Sequence, residues 1–169
     1  EALAIEKRPG KESNAAVFLN NIGNVYALKR QYSKAIKYHK RALEIAKNLG
    51  QEARIANGLA NIGGIYYLQE KYKTSIKYLS ESITIIEKLR KTATGDIRRD
   101  YLSNQLITYQ WLTSAYIKNA NISSAFKTIE LSRAKLLTER LAGDESKVNL
   151  PNIKRIQGAL DNDTAILVY

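Results

Sequence analysis

The chain has 169 residues, 44% of them hydrophobic, with 27 Lys and Arg against 16 Asp and Glu, a net charge of +11, one histidine and neither cysteine nor methionine. The lack of cysteine excludes disulfides, thiolate metal ligands and a cysteine nucleophile within this sequence, and no apolar run of about eighteen residues is present to span a membrane. Two prolines and nine glycines leave little material for long loops, so one elongated helical domain is expected, soluble and by default cytoplasmic.

From its first residues the sequence overlies itself when shifted by forty. Ala2-Leu3 falls on Ala42-Leu43, Asn21-Ile22-Gly23-Asn24-Val25-Tyr26 on Asn61-Ile62-Gly63-Gly64-Ile65-Tyr66, and Ile36-Lys37-Tyr38 on Ile76-Lys77-Tyr78. A fixed period of this size marks an array of helical units, each burying its apolar face against its neighbours. Residues 1–9 then close the second helix of a unit whose beginning lies upstream, and the sequence reads as part of a longer chain. Gly10 and Gly50 follow helical patterns ending at Lys7 and Lys47, where a left-handed residue ends a helix.

The first complete unit covers about 11–49. Leu19, Ile22, Gly23 and Tyr26 keep the i, i+3, i+4, i+7 spacing of one helix face, and Tyr32, Ala35, Ile36, His39 and Ala42-Leu43 mark a second helix after a short turn. A second unit, about 51–91, repeats this with Leu59, Ile62, Gly63 and Tyr66, then Tyr72, Ser75, Ile76, Leu79 and Ser82-Ile83. Gly23 and Gly63 are expected at close helix–helix contacts. A third unit, about 96–142, has Tyr116 fifty residues after Tyr66, then Ile122, Ala125 and Ile129, with Thr113 in the glycine place. Its ten extra residues fall between Lys88 and Asp100, where Asp96 suits a helix cap, so an elongated hairpin is expected.

Leu19, Ile22-Gly23, Tyr26, Tyr32, Ala35 and Ala42 resemble the signature of the tetratricopeptide repeat. Departures are Arg30 and Glu70 where glycine is usual, His39 and Leu79 for the later aromatic, and a forty-residue period in place of thirty-four. The resemblance implies an all-α fold: a tetratricopeptide-type superhelix of antiparallel helical hairpins over residues 1–142, about three repeats, with a short C-terminal helix and a stray strand after it.

That last part, 143–169, reads as a junction. Gly143-Asp144-Glu145-Ser146 forms an exit loop, Leu150, Ile153, Ile156 and Leu160 space a short amphipathic helix, and Thr164–Tyr169 is strand-like. Residues 130–169 look like the junction where bacterial repeat arrays enter a CHAT domain, a caspase-related cysteine protease fold. The resemblance implies an intact protein that continues into such a protease.

No catalytic constellation is present in the sequence, so it is not expected to be an enzyme, and no cofactor or metal is expected. His39 lacks convergent partners and occupies a helix-packing place, while Asp144/Glu145 and Asp161/Asp163 lie in expected turns, where acidic side chains serve as solvated turn-formers. Asn121-Ile122-Ser123 and Asn162-Asp163-Thr164 match a glycosylation acceptor only as short motifs.

The face opposite the packing stripe carries the functional expectation. Asn20, Asn21 and Asn24 share one side of the first helix with Val17, and Asn57 and Asn61 continue it; alignment into the third unit adds Ile107, Gln110, Trp111 and Ser114, with Tyr67 nearby. In tetratricopeptide arrays this side is concave. Stacked amides can hydrogen-bond an extended peptide backbone while Tyr67 and Trp111 give apolar contact, which resembles the amide-lined groove of kinesin-light-chain arrays. The alternative is a solvated amide face with Trp111 packed under the longer hairpin. Asn20, Ile107 and Trp111 stand where the basic residues of a carboxylate-binding clamp belong. Lys37, Lys77 and Lys127 recur on the convex side without interleaved aromatics, which ranks nucleic acid below a protein partner.

The reading from sequence is therefore a repeat module that binds a protein or extended peptide, as the sensing or regulatory arm of a larger bacterial, CHAT protease-like protein. A scaffold packed on its own downstream domain is the rival, and a basic nucleic-acid adaptor ranks third.

Overall fold

A computed structural model describes residues 9–92 and 105–141. The chain divides into two compact units, residues 1–135 and 136–169. Six α-helices and no strand occur among the described residues: α1 Pro9–Leu28, α2 Tyr32–Asn48, α3 Glu52–Leu68, α4 Tyr72–Thr92, α5 Leu106–Lys118 and α6 Ile122–Leu141. None is long and apolar enough to cross a membrane. Of the expected helix stub 1–9 only Pro9 is described, and it belongs to α1; the cap at Asp96, the short helix near 150–160 and the strand Thr164–Tyr169 lie outside the described residues.

Each hairpin turns in the same way. Arg30, Glu70 and Ala120 have φ of 56°, 59° and 57°, so the left-handed position that glycine usually fills is taken by three other residues. At each turn two backbone bonds close the preceding helix, as in Arg30 N–H to Ala27 O at 2.9 Å and Gln31 N–H to Tyr26 O at 2.9 Å. Gly50, with φ 64°, closes α2 by the same pair of bonds, to Lys47 and Ala46, as expected from the sequence. Gly10 does not end a helix: it lies in the first turn of α1. Pro9 opens that helix, at a place where a fixed φ and a missing N–H cost nothing.

Packing repeats with the sequence period. Tyr26 stacks on Tyr38 with centroids 5.3 Å apart, and Tyr66 on Tyr78 at 5.5 Å. A Cβ on Gly23 would lie 2.7 Å from the His39 ring and one on Gly63 2.7 Å from Leu79 Cγ, so both glycines do let paired helices approach closely. The second unit adds hydroxyl ties: Ser75 Oγ donates to Gly63 O and Ser82 Oγ to Ala56 O, both at 2.8 Å. In the first unit alanines, Ala35 and Ala42, hold those two places.

The core runs between units. Leu43 of α2 packs with Leu59 and Ile62 of α3, and Leu79, Ile83 and Ile86 of α4 with Tyr109 and Leu112 of α5. Fully burying each such side chain contributes about 1.5–3 kcal/mol. Helix α4 has 21 residues where α2 has 17, which adds one turn to the second hairpin. Ile22 departs from its repeat mate: it is 40% exposed whereas Ile62 is fully buried. Ile62 is covered by α2 of the preceding unit, and no described helix stands in that place against α1. Phe18, Val25 and Leu28 are exposed with Ile22.

Candidate functional site

Helix α3 packs between its neighbours and touches α1 on one side and α5 on the other, so side chains from three first helices share a face. The amide ladder expected there begins at the first interface. Asn20 is half-buried, and its Oδ1 accepts two hydrogen bonds, from Asn61 Nδ2 at 2.9 Å and from His39 Nδ1 at 2.9 Å. A carbonyl oxygen only accepts, so His39 carries its proton on Nδ1. His39 is buried over Gly23, and desolvation lowers its pKa from 6.5 to about 4. The histidine is thus a neutral packing residue that fixes the orientation of Asn20.

Asn57 repeats the arrangement at the second interface. Its Oδ1 accepts from the buried Gln105 Nε2 at 3.1 Å, tying α3 to the start of α5. Between Asn20 and Asn57 lies a pocket of about 90 Å³. Ala16, Ala42, Leu43 and Gly58 form its apolar floor, and Val17 and Arg54 complete it. Arg54 is exposed and has neither a hydrogen bond nor an ion pair among the described residues.

The remaining expected residues divide into two sets. Asn21, Asn24 and Gln110 are exposed, and Ser114 is half-buried. Tyr67 is half-buried beside Tyr72, with ring centroids 5.7 Å apart. Trp111 is also half-buried and packs against the α4–α5 core cluster, its ring seated on Gly64 so closely that a Cβ there would come within 2.0 Å of Cζ3. Much of its surface therefore serves the packing of α5 on α3. Asn20, Asn57 and Asn61 are brought together through their bonds and the pocket, whereas Trp111 is held a unit away.

Sequence spacing missed Arg54, Gln105, and the link from His39 to Asn20. One signal was available for the tryptophan seat, because Asn24 in the first unit becomes Gly64 in the second, leaving two adjacent glycines where one suffices for the α3–α4 contact. No group of three or more His, Asp or Glu side chains close enough to hold a metal occurs among the described residues.

Residues 14–88 match the tetratricopeptide repeat family, a span covering α2 and α3 and most of α1 and α4. No curated protein matches the chain. Among solved structures it is similar to the TPR domain of Arabidopsis FLU, at 20% identity and a TM-score of 0.61 over 75% of this chain and 98% of that one. It is also similar to BtubC (BKLC) from P. vanneervenii, at 18% identity and a TM-score of 0.66 over 95% of this chain. It spans 57% of that second chain. At these identities the likeness concerns the fold, which is that of tetratricopeptide helical hairpins.

Proposed function

We propose that this chain is a protein-interaction module that takes an extended polypeptide segment across the face shared by α1, α3 and α5. The observation that carries this reading is the pocket between Asn20 and Asn57, an apolar depression flanked by side-chain amides at a unit interface. Asn21, Asn24, Asn61 and Gln110 extend the polar face along the helices, and Ser114 and the accessible parts of Tyr67 and Trp111 complete it. Amide groups suit this work because each N–H can meet a peptide carbonyl whatever the side chain beside it.

The test is capture of a random peptide library by wild type and by Asn24→Ala/Asn57→Ala. The Asn57 change removes one part-buried hydrogen bond, worth about 1 kcal/mol, so a melt run in parallel separates stability from binding. Capture weakened with the fold intact supports the groove; undiminished capture removes it. The apolar and small-residue pattern of residues 130–169 further supports a place as the sensing or regulatory arm of a larger bacterial, CHAT protease-like protein. Sequence downstream of Tyr169 tests that part: a histidine and a cysteine in strand-ending contexts support it, and their lack refutes it.

A further inference from the structure

We infer that the pocket at the α1–α3 interface is a single anchor site that selects a small aliphatic side chain next to an acidic one. This rests on the peptide-binding reading above and specifies its ligand. Size sets the first half of the preference. A volume of about 90 Å³ is threefold that of one water, about 30 Å³, and well short of the roughly 150 Å³ that encloses a benzene ring. A valine or leucine side chain matches this volume more closely than an aromatic one does.

The floor shows why the space exists. Ala16, Ala42 and Gly58 offer at most a methyl group each, and Leu43 closes the bottom. At the next interface the residue equivalent to Gly58 is Thr108, a larger side chain that is itself buried. The glycine that opens this space therefore has no counterpart at that place in the third unit.

Hydrogen-bonding capacity sets the second half. Asn20 Oδ1 already accepts twice, from Asn61 and His39, and Asn57 Oδ1 accepts from Gln105. What these amides have left to offer at the pocket rim is mainly N–H. Arg54 adds a guanidinium with five donors, exposed and unpaired among the described residues. A rim of donors around an unpaired cation calls for an acceptor-rich ligand: backbone carbonyls and a carboxylate placed one or two residues from the aliphatic anchor. The net charge of +11 favours the approach of an acidic segment.

The experiment is selection of a random displayed peptide library on the full chain and on two variants, Arg54→Glu and Gly58→Ala. A methyl on Gly58 would meet Leu43 at 3.4 Å, an ordinary contact, so that variant keeps its fold while the pocket shrinks. Wild type is expected to enrich valine or leucine beside aspartate or glutamate. Arg54→Glu should lower affinity for the selected acidic peptide by about tenfold or more and shift enrichment toward lysine and arginine at that place. Gly58→Ala should shift the anchor toward alanine. Peptides enriched without the aliphatic–acidic pair, or a pair unaltered by both variants, overturn this inference and leave the peptide groove standing. No enrichment of any peptide on wild type overturns both.

Discussion

Replacing Gly64 by alanine places a methyl carbon 2.0 Å from Cζ3, 2.4 Å from Cε3 and 2.5 Å from Cη2 of Trp111. Carbon atoms in contact sit about 3.5–4.0 Å apart, so the indole must retreat by about 1.5 Å. The half-buried ring also packs against the cluster of Leu79, Ile83, Tyr109 and Leu112, so a shift of that size disturbs its contacts there. Overpacking of this kind costs about 1–3 kcal/mol, against a gain of about 1 kcal/mol from removing a glycine inside a helix. A net loss of up to about 2 kcal/mol is expected, or a midpoint lower by up to roughly 8 °C for a domain of this size. Gly58→Ala is the matched control in the same helix: its methyl meets only Leu43, at 3.4 Å, so it should stabilise by up to about 1 kcal/mol. In a Trp111→Ala background the steric term disappears, and Gly64→Ala should change sign to become stabilising. Thermal and urea melts of the four members of this cycle measure the coupling. Gly64→Ala as stabilising as Gly58→Ala with the tryptophan present would mean that α5 does not seat on α3 as described.

Ala120→Gly and Glu70→Gly should each stabilise by on the order of 1 kcal/mol or somewhat less, since glycine adopts φ near +60° without the Cβ penalty but adds entropy to the unfolded chain; lowered melting midpoints would count against the left-handed turns. His39 makes stability depend on pH: its folded pKa of about 4 lies below the unfolded 6.5, so the unfolded chain binds the proton first. Stability should hold above about pH 6.5 and fall toward pH 4 by about 1–3 kcal/mol, with His39→Gln removing that part of the slope in urea titrations. Duplex DNA is expected to associate, if at all, only at low salt and without sequence preference, and to be released by ~0.15 M salt because phosphate contacts alone release counterions; sequence-selective binding at that salt, in a fluorescence titration, would promote the nucleic-acid reading.

Much of the fold was legible from one period. The forty-residue recurrence of apolar residues, small residues and tyrosines encodes which face of each helix is buried, and the two tyrosine stacks and the turns at Arg30 and Glu70 follow it. The fifty-residue step to Tyr116 likewise leads to Ala120, the left-handed residue of the third turn. Periodicity works here because the residues that define a helix face lie within a turn or two of one another. What covers that face is decided elsewhere in the chain, and there spacing fell short. Ile22 and Ile62 hold the same place in the repeat, yet one is 40% exposed and the other buried, because burial depends on the helix that arrives from the preceding unit. The close fit of Trp111 against Gly64 was likewise fixed by how near α5 comes to α3. The same holds for the amides: sequence placed Asn20 and Asn61 on one side of successive helices, while only the packed array joined them and buried His39 through one shared oxygen. Local spacing determined the elements and their faces; the approach of helices from different units decided which side chains are buried, which are bonded, and where an open pocket remains.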